Sequence, residues 1–409
     1  MKSIWYKIAL PLVVVAFILF LLISRCTPGQ ELDSVLKNVT GPYRFSIATW
    51  EIGALFSEVG KLFSRPQGTT DDVINYFNNA NEIRRLEVDI AAINAGYSEG
   101  DISFLQGEID TVRQRNKELV GKVETVLERQ IREALSSEGI YNPWNIHVEL
   151  KIGYPPMNFF LGRPPHVLIV SPRDRIESIR EVPLLPDLSV EDMEKIENEI
   201  DSQGVSSLVV GIGGMATYPS YVIDTADLRF VLNVAAEEWM HQYLAFTPLG
   251  FRYLLDLSGI RPDYDIATLN ETVAGIISKE IGDIVYRKYY SPDNEEETNS
   301  QSGTPVFDFN REMREIRKTV DTFLAEGEIE RAEEFMEQKR QYLVENGYLI
   351  RKLNQAYFAF HGAYADSPTS ISPIGEELRQ LRDRSPSLKE FLDSAVTLTS
   401  RKALSEYIK

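Results

Sequence analysis

The sequence predicts an α+β protein with an N-terminal transmembrane helix, a long helical hairpin of coiled-coil type, a small antiparallel sheet and a mainly helical remainder. Three observations carry this prediction: an apolar run opens the chain, a heptad pattern follows it, and alternating segments then give way to helical periodicity. A length of 409 residues indicates two or three domains. Hydrophobic residues make up 43% of the chain, which is enough to build a packed core.

The charge balance limits the classes of partner. The formal net charge is −18, with 61 Asp and Glu against 43 Lys and Arg. An acidic surface repels phosphate backbones, so we expect no nucleic-acid partner. Cys26 is the only cysteine, which excludes an intramolecular disulfide and any metal cluster built from cysteines.

The first 27 residues have the features of a transmembrane anchor. Residues 4–24 are apolar except for Lys7 and are long enough to cross a lipid bilayer. The flanking charges, Lys2 and Lys7 before the run and Arg25 after it, favour a cytoplasmic N-terminus. We therefore expect a single-pass membrane protein whose body is extracytoplasmic.

Two other interpretations of this segment are open. A cleaved signal peptide needs a small-x-small cleavage site, and none follows the apolar run. A lipoprotein signal would use Cys26, but Arg25 stands where that signal has a small residue. Residues 28–68 are then a membrane-proximal segment with one short helix.

Residues 69–140 are predicted to form a helical hairpin. Tyr76, Ile83 and Ile90 recur every seven residues in the first arm, and the second arm continues a similar apolar seam. Asn116 is the polar exception in that seam, where a single Asn can fix the register of two helices. The hairpin is either a coiled-coil arm that binds a partner or a second copy, or a helix pair packed beside the main domain.

Residues 141–290 combine strands and helices. Alternating or continuous apolar runs predict strands at 144–152 and 166–171, and two more strands, joined at Gly213-Gly214, within 206–224. Residues 189–200 read as a helix that begins with a Ser cap. The polar stretch 291–305 is predicted to be a flexible loop.

Residues 306–409 form a C-terminal helical subdomain in this prediction. Its helices are expected at 308–326, 328–346, 349–363, 374–384 and 387–407.

One predicted helix, residues 225–246, carries an unusual polar face. At 100° per residue, Glu237, Glu238 and His241 share one side of a helix that is apolar nearly all round. Burying two carboxylates costs several kcal/mol each unless they are paired, protonated or bound to a metal. On the next long helix, Glu271 heads a stripe of small residues that would let the two helices approach closely. Glu237, His241 and Glu271 could then form a three-ligand metal site with an open fourth position.

These residues resemble the gluzincin metallopeptidases, in which an HExxH helix and a later Glu, often in an Asn-Glu dipeptide, hold zinc. Glu238 falls on the general base, His241 on the second His and Asn270-Glu271 on the dipeptide. The segment "GGMATYPSYV" is similar to the edge strand along which such enzymes bind a peptide. The resemblance covers roughly residues 205–400, and "LNQAYFAFHGAY" followed by "SPSLKEFLDSA" is similar to the tail of a group of predicted bacterial aminopeptidases. It implies a zincin-like domain within 141–290 and a peptide or protein substrate.

The sequence departs from the gluzincin motif at Glu237, which replaces the first His. The resemblance makes zinc the first expectation. The resulting ligand set is harder and more anionic than the usual one, which makes manganese or iron the alternatives. The chain could equally keep the fold, bind no metal and be inactive.

The resemblance also implies roles for individual residues. Metal-activated water would attack the peptide with Glu238 as base, and Tyr357, His361 or Tyr364 would donate to the oxyanion. Ordinary helix ion pairs and an aromatic core stripe are the structural alternatives. The predicted function is thus an anchored, extracytoplasmic metallopeptidase with an altered site. The alternative is a non-enzymatic tethered interaction protein that uses the hairpin.

Overall fold

The computed structural model describes residues 30–47, 49–50, 66–94, 99–144, 151–258, 260–291, 307–365 and 367–409. These residues are mostly helical and include two three-stranded sheets. The predicted anchor at 4–24, most of the segment 51–68 and the predicted loop from residue 292 lie outside the described residues.

The membrane prediction is corrected. Within the described ranges, no helix combines the length and apolar character that crossing a bilayer requires. The longest of these helices has 36 residues, but charged side chains recur along its whole length. The transmembrane helix in the predicted fold class, and the single-pass topology with an extracytoplasmic body, therefore gain no support.

The described chain begins with two helical units. Helix α1 (Gln30–Thr40) is followed by a 3-10 turn (Gly41–Tyr43). Helices α2 (Thr70–Asn94) and α3 (Ile102–Ser137) form the predicted hairpin.

The hairpin is packed against the main body at its base. Val73 and Leu127 belong to the same buried apolar cluster as Trp239 and Val273 of the later helices. In the seam, Asn116 accepts a hydrogen bond from the Asn79 amide at 2.9 Å and donates one to the Tyr76 carbonyl at 3.3 Å. The described hairpin is thus the second of the two predicted arrangements, a helix pair beside the main domain.

Two small sheets follow. In chain order their elements are β1 (Phe159–Gly162), β2 (His166–Pro172), β3 (Arg180–Leu184), helix α4 (Val190–Asp201), β4 (Val205–Gly211), β5 (Gly214–Met215) and β6 (Ser220–Ile223). One sheet is antiparallel with the order β3-β2-β4. The other has the order β1-β6-β5, with β1 and β6 parallel and β5 and β6 antiparallel.

The prediction of one small antiparallel sheet is wrong, because β4 and β6 belong to different sheets. The outer edge of β4 is covered by side chains. Glu197 accepts from the Val209 N–H at 2.6 Å, Arg351 donates to the Val209 carbonyl at 3.1 Å, and Asn354 donates to the Ser207 carbonyl at 2.8 Å. These bonds satisfy the edge that a further strand would need. Of the strand predicted at 144–152, residues 145–150 lie outside the described ranges and 151–152 are not in a strand.

The remaining described chain is helical. The helices are α5 (Leu228–Leu244), α6 (Pro248–Leu257), α7 (Tyr264–Tyr289), α8 (Phe309–Ala325), α9 (Ile329–Glu345), α10 (Gln355–His361), α11 (Ile374–Arg384), α12 (Leu388–Ala395) and α13 (Arg401–Ile408). Most agree with the predicted ranges within a few residues. The helix predicted at 349–363 is shorter, and the one predicted at 387–407 is split into α12 and α13.

Helix α5 lies at the centre of the largest core, between the β1-β6-β5 sheet and α7. Its side chains fix it to the neighbouring backbone. The Gln242 amide donates to the Thr217 carbonyl at 2.6 Å and to Ser220 Oγ at 2.9 Å, and the Trp239 indole donates to the Pro155 carbonyl at 2.8 Å. The polar face of α5 therefore has a fixed orientation towards α7 and the edge strand β5.

Candidate metal centre

Helix α5 begins where its sequence provides a cap. Asp227 accepts a hydrogen bond from the Phe230 N–H at 3.0 Å, which satisfies one free donor of the first turn. From this start, Glu237 and His241 lie one turn apart on the face that meets α7. The close approach of the two helices depends on Gly282, since a Cβ there would collide with the side chain of Asn233. This contact agrees with the predicted role of the small residues on α7.

Glu237, His241 and Glu271 meet as the sequence predicts. Each offers one ligand atom, and the three atoms lie within 4.8 Å of one another. His241 Nε2 is 3.4 Å from Glu271 Oε2. Ligands about 2.0–2.2 Å from a tetrahedral zinc ion lie about 3.3–3.6 Å apart, so this separation suits a shared cation. The donor set therefore fits a divalent metal.

The site is enclosed but reachable. The His241 and Glu271 side chains are each 14% exposed, and Glu237 is also partly buried. A wholly sealed cluster would exclude a substrate, whereas a fully solvated one would leave the charges screened by water. Partial exposure permits both ion binding and access.

The imidazole of His241 is held in one orientation. Its Nδ1 lies 3.1 Å from Oδ1 of Asn270, an oxygen that can only accept a hydrogen bond. Nδ1 therefore carries the proton, and Nε2 faces Glu271. Metal-binding histidines commonly have their second nitrogen fixed by such a partner.

Glu271 is held by two tyrosines as well as by His241. The Tyr253 hydroxyl of α6 donates to Oε1 of Glu271 at 2.9 Å, and the Tyr364 hydroxyl also hydrogen-bonds to this carboxylate. Burial alone would raise the pKa of Glu271, but the charge of His241 and these hydrogen bonds outweigh it and lower the pKa. Glu271 is thus an anion held with Oε2 towards His241.

The charges of the cluster are strongly coupled. Burial would lower the pKa of His241, yet the neighbouring carboxylates, Glu271 first, outweigh that effect and raise the pKa to about 10. Without a metal, His241 is therefore a cation that neutralises part of the acidic charge. A divalent cation would replace that proton, since a histidine must be neutral at the ligating nitrogen.

Glu238 faces the edge strand and has a different environment from Glu237. A Cβ on Gly214 of β5 would lie 2.8 Å from Cγ of Glu238 and 2.6 Å from Cγ1 of Val234. Glycine at 214 therefore lets the backbone of the edge strand approach the Glu238 side chain. Burial raises the pKa of Glu238 to about 8, and the charge of His241 opposes that rise.

One of the three residues predicted as alternative oxyanion donors lies at the carboxylate cluster. Helix α10 ends at His361, so Tyr364 lies beyond it and turns towards Glu271. Tyr357 instead packs among buried apolar side chains beside the antiparallel sheet, and the His361 ring lies 4.3 Å from the Tyr357 ring. Of the three, the structure brings Tyr364 to the carboxylate cluster.

Tyr253 is a site residue that the sequence did not predict. It lies in α6, a helix of ten residues whose apolar pattern gives no reason to single out one tyrosine. The signal that could have found Tyr253 is the position of α6 in the chain. This short helix connects the polar face of α5 to the start of α7, and it packs against both helices.

Comparison with known proteins adds no further constraint. No family model, no curated protein and no solved structure matches this chain. The resemblance to gluzincins therefore rests on the motif residues of the sequence alone.

Proposed function

We propose that the protein is a metal-dependent peptide hydrolase. The observation that carries this proposal is the convergence of Glu237, His241 and Glu271 to within 4.8 Å. When bound there, a divalent ion would polarise a substrate carbonyl and increase the acidity of water. Zinc is the first candidate, and the two carboxylates also suit manganese or iron.

Glu238 is the proposed general base. It takes a proton from the attacking water as the oxygen bonds to the peptide carbonyl carbon, and it gives that proton to the leaving amine as the C–N bond breaks. A base with a pKa near neutrality suits both transfers, and burial places Glu238 close to that range.

Strand β5 supports the choice of an extended peptide as substrate. It is the edge strand of its sheet, and its Gly214 lies against Glu238. A peptide that pairs with this edge would present its carbonyl groups beside the base. Tyr364, whose hydroxyl interacts with the same carboxylates, is the proposed hydrogen-bond donor to the oxyanion that forms.

Glu238→Gln tests this function. We expect the purified full-length chain, supplied with zinc or manganese, to cleave members of a panel of free and N-acetylated fluorogenic peptides. Removing the base should lower kcat by about 10²–10⁴-fold while bound metal is retained. Glu376→Gln, a substitution on an exposed helix surface, is the matched control and should leave the rate unchanged. A metal-loaded parent that cleaves no peptide, or a Glu238→Gln variant with full activity, would refute the proposal.

A further inference from the structure

A cavity lies away from the carboxylate cluster. It has a volume of about 490 Å³ and lies between the two helices of the hairpin and the segments that follow β1 and β6. This volume falls within the range of small-molecule sites. The cavity does not include any of the residues assigned to the metal centre.

The cavity has an apolar wall. Ile83 from α2, Val120 from α3 and Leu161 from β1 contribute to its lining. Leu161 is buried, and the other two side chains are partly buried. A ligand that covers this wall would remove apolar surface from water, which favours binding.

The polar lining has an excess of positive charge. Arg84, Arg113, Lys117 and Arg163 line the cavity together with two acids, Glu87 and Asp224. Arg113 pairs with Glu87 at 2.9 Å, and Arg163 pairs at 2.9 Å with Asp187, which is not part of the lining.

Two of these cations have no carboxylate partner among the residues that the structure describes. Arg84 donates to the Thr225 carbonyl at 2.9 Å, and neither Arg84 nor Lys117 forms an ion pair with any residue that the structure describes. Asp224 is the one acid of the lining that the structure does not pair with a lining cation, and burial raises the pKa of its carboxyl group. In a chain with a formal net charge of −18, two cations without a described ion-pair partner beside an apolar wall indicate a site for an anion.

We propose that this cavity binds an organic anion in which one carboxylate or phosphate group is joined to an apolar chain of several carbons. Arg84 and Lys117 bind the anionic group, while the apolar chain covers Ile83, Val120 and Leu161. This inference does not depend on the proposed hydrolase activity.

Binding of eight-carbon probes to the full-length chain tests the proposal. Titration calorimetry should show one saturable site for octanoate or octyl phosphate, and the preferred probe identifies the anionic group. Octanol and octylammonium should bind at least ten-fold more weakly. The double variant Arg84→Gln with Lys117→Met should weaken binding of the preferred anion by ten-fold or more.

Arg115→Gln is the control variant. Arg115 is exposed on the same helix as Lys117 and does not line the cavity, so its replacement should leave the affinity unchanged. Circular dichroism would confirm that all variants are folded. The proposal is overturned if neither anion binds saturably, if octanol binds as tightly as the anions, or if Arg115→Gln weakens binding as much as the double variant.

Discussion

The Nε2 atom of His241 on α5 lies 3.4 Å from Oε2 of Glu271 on α7. Two helices that cross closely at Gly282 bring these groups together. Asn270 contacts Nδ1 of His241, and the Tyr253 hydroxyl donates to Oε1 of Glu271. The ligand atoms are therefore aimed at each other by independent contacts. This arrangement provides the basis for predictions about each contact.

Tyr253→Phe should weaken metal binding without preventing it. The substitution removes the hydrogen bond to Oε1 of Glu271, one of the contacts that hold this carboxylate in place. Loss of such an outer contact typically costs about 10–100-fold in metal affinity. Competition with a chromogenic chelator would measure the change.

Tyr243→Phe provides a matched control for Tyr253→Phe. Its hydroxyl also makes a buried hydrogen bond, at 3.1 Å to the Asn142 carbonyl, but no contact with the ligands is involved. We expect it to lower the free energy of unfolding by about 1 kcal/mol and to leave metal affinity unchanged. Equal losses of metal affinity in the two variants would show that Tyr253 acts only through general stability.

Gly214→Ala should impair catalysis and leave the metal content unchanged. The added methyl group would lie 2.8 Å from Cγ of Glu238, so the base or the edge strand must move. A displaced base slows the reaction more than it weakens metal binding. We therefore expect kcat to fall at least ten-fold with one metal still bound. Activity and metal content are measured on the same preparation.

Gly211→Ala distinguishes this effect from a general loss of strand structure. A Cβ at Gly211 would lie 3.9 Å from the His166 ring, which is an ordinary van der Waals distance. This variant should retain full activity. A Gly214→Ala protein as active as Gly211→Ala would remove the evidence that Glu238 works against the edge strand.

His361 should make the protein less stable in mild acid. Burial lowers its pKa to about 4, below the value of about 6.5 expected in the unfolded chain. The unfolded state therefore binds the proton more tightly, so the stabilisation is complete above about pH 6.5 and is lost as the pH falls towards 4. Between about pH 7.5 and pH 5, this one group should lower the free energy of unfolding by up to about 2 kcal/mol.

Urea unfolding of the parent and of His361→Gln measures this contribution. Other groups titrate in both proteins, so the difference between their pH dependences isolates His361. The parent should lose more stability in acid than the variant. Equal losses would mean that the His361 ring is hydrated in solution rather than packed on Tyr357.

The elements predicted best from the sequence have strong local signals. Ser189 does cap its helix, and Asn116 does pair across the hairpin seam. The sequence also indicates the three ligand candidates, because carboxylates on an apolar helix require compensation. In each case, the pattern of residues along a single helix contains the signal.

The missed features depend on tertiary contacts. Strand β3 contains Pro183, which is compatible with its position at a sheet edge but hides the strand from pattern analysis. Strands β4 and β6 do not pair, because side chains far away in sequence, such as Arg351, cover the outer edge of β4. Tyr253 reaches Glu271 through packing that no helical period encodes. The membrane-spanning prediction concerned a segment outside the described residues, and the described helices gave it no support.

The metal content of the purified full-length chain tests the central claim most directly. After loading with zinc and removal of excess ion, elemental analysis should find about one equivalent per chain in the parent and in Asp283→Asn, a control on α7. His241→Ala and Glu271→Ala should each retain little or none, while circular dichroism shows that they are folded. A parent with no zinc, manganese or iron above background after loading with each, or ligand variants that bind as much as the parent, would contradict the account.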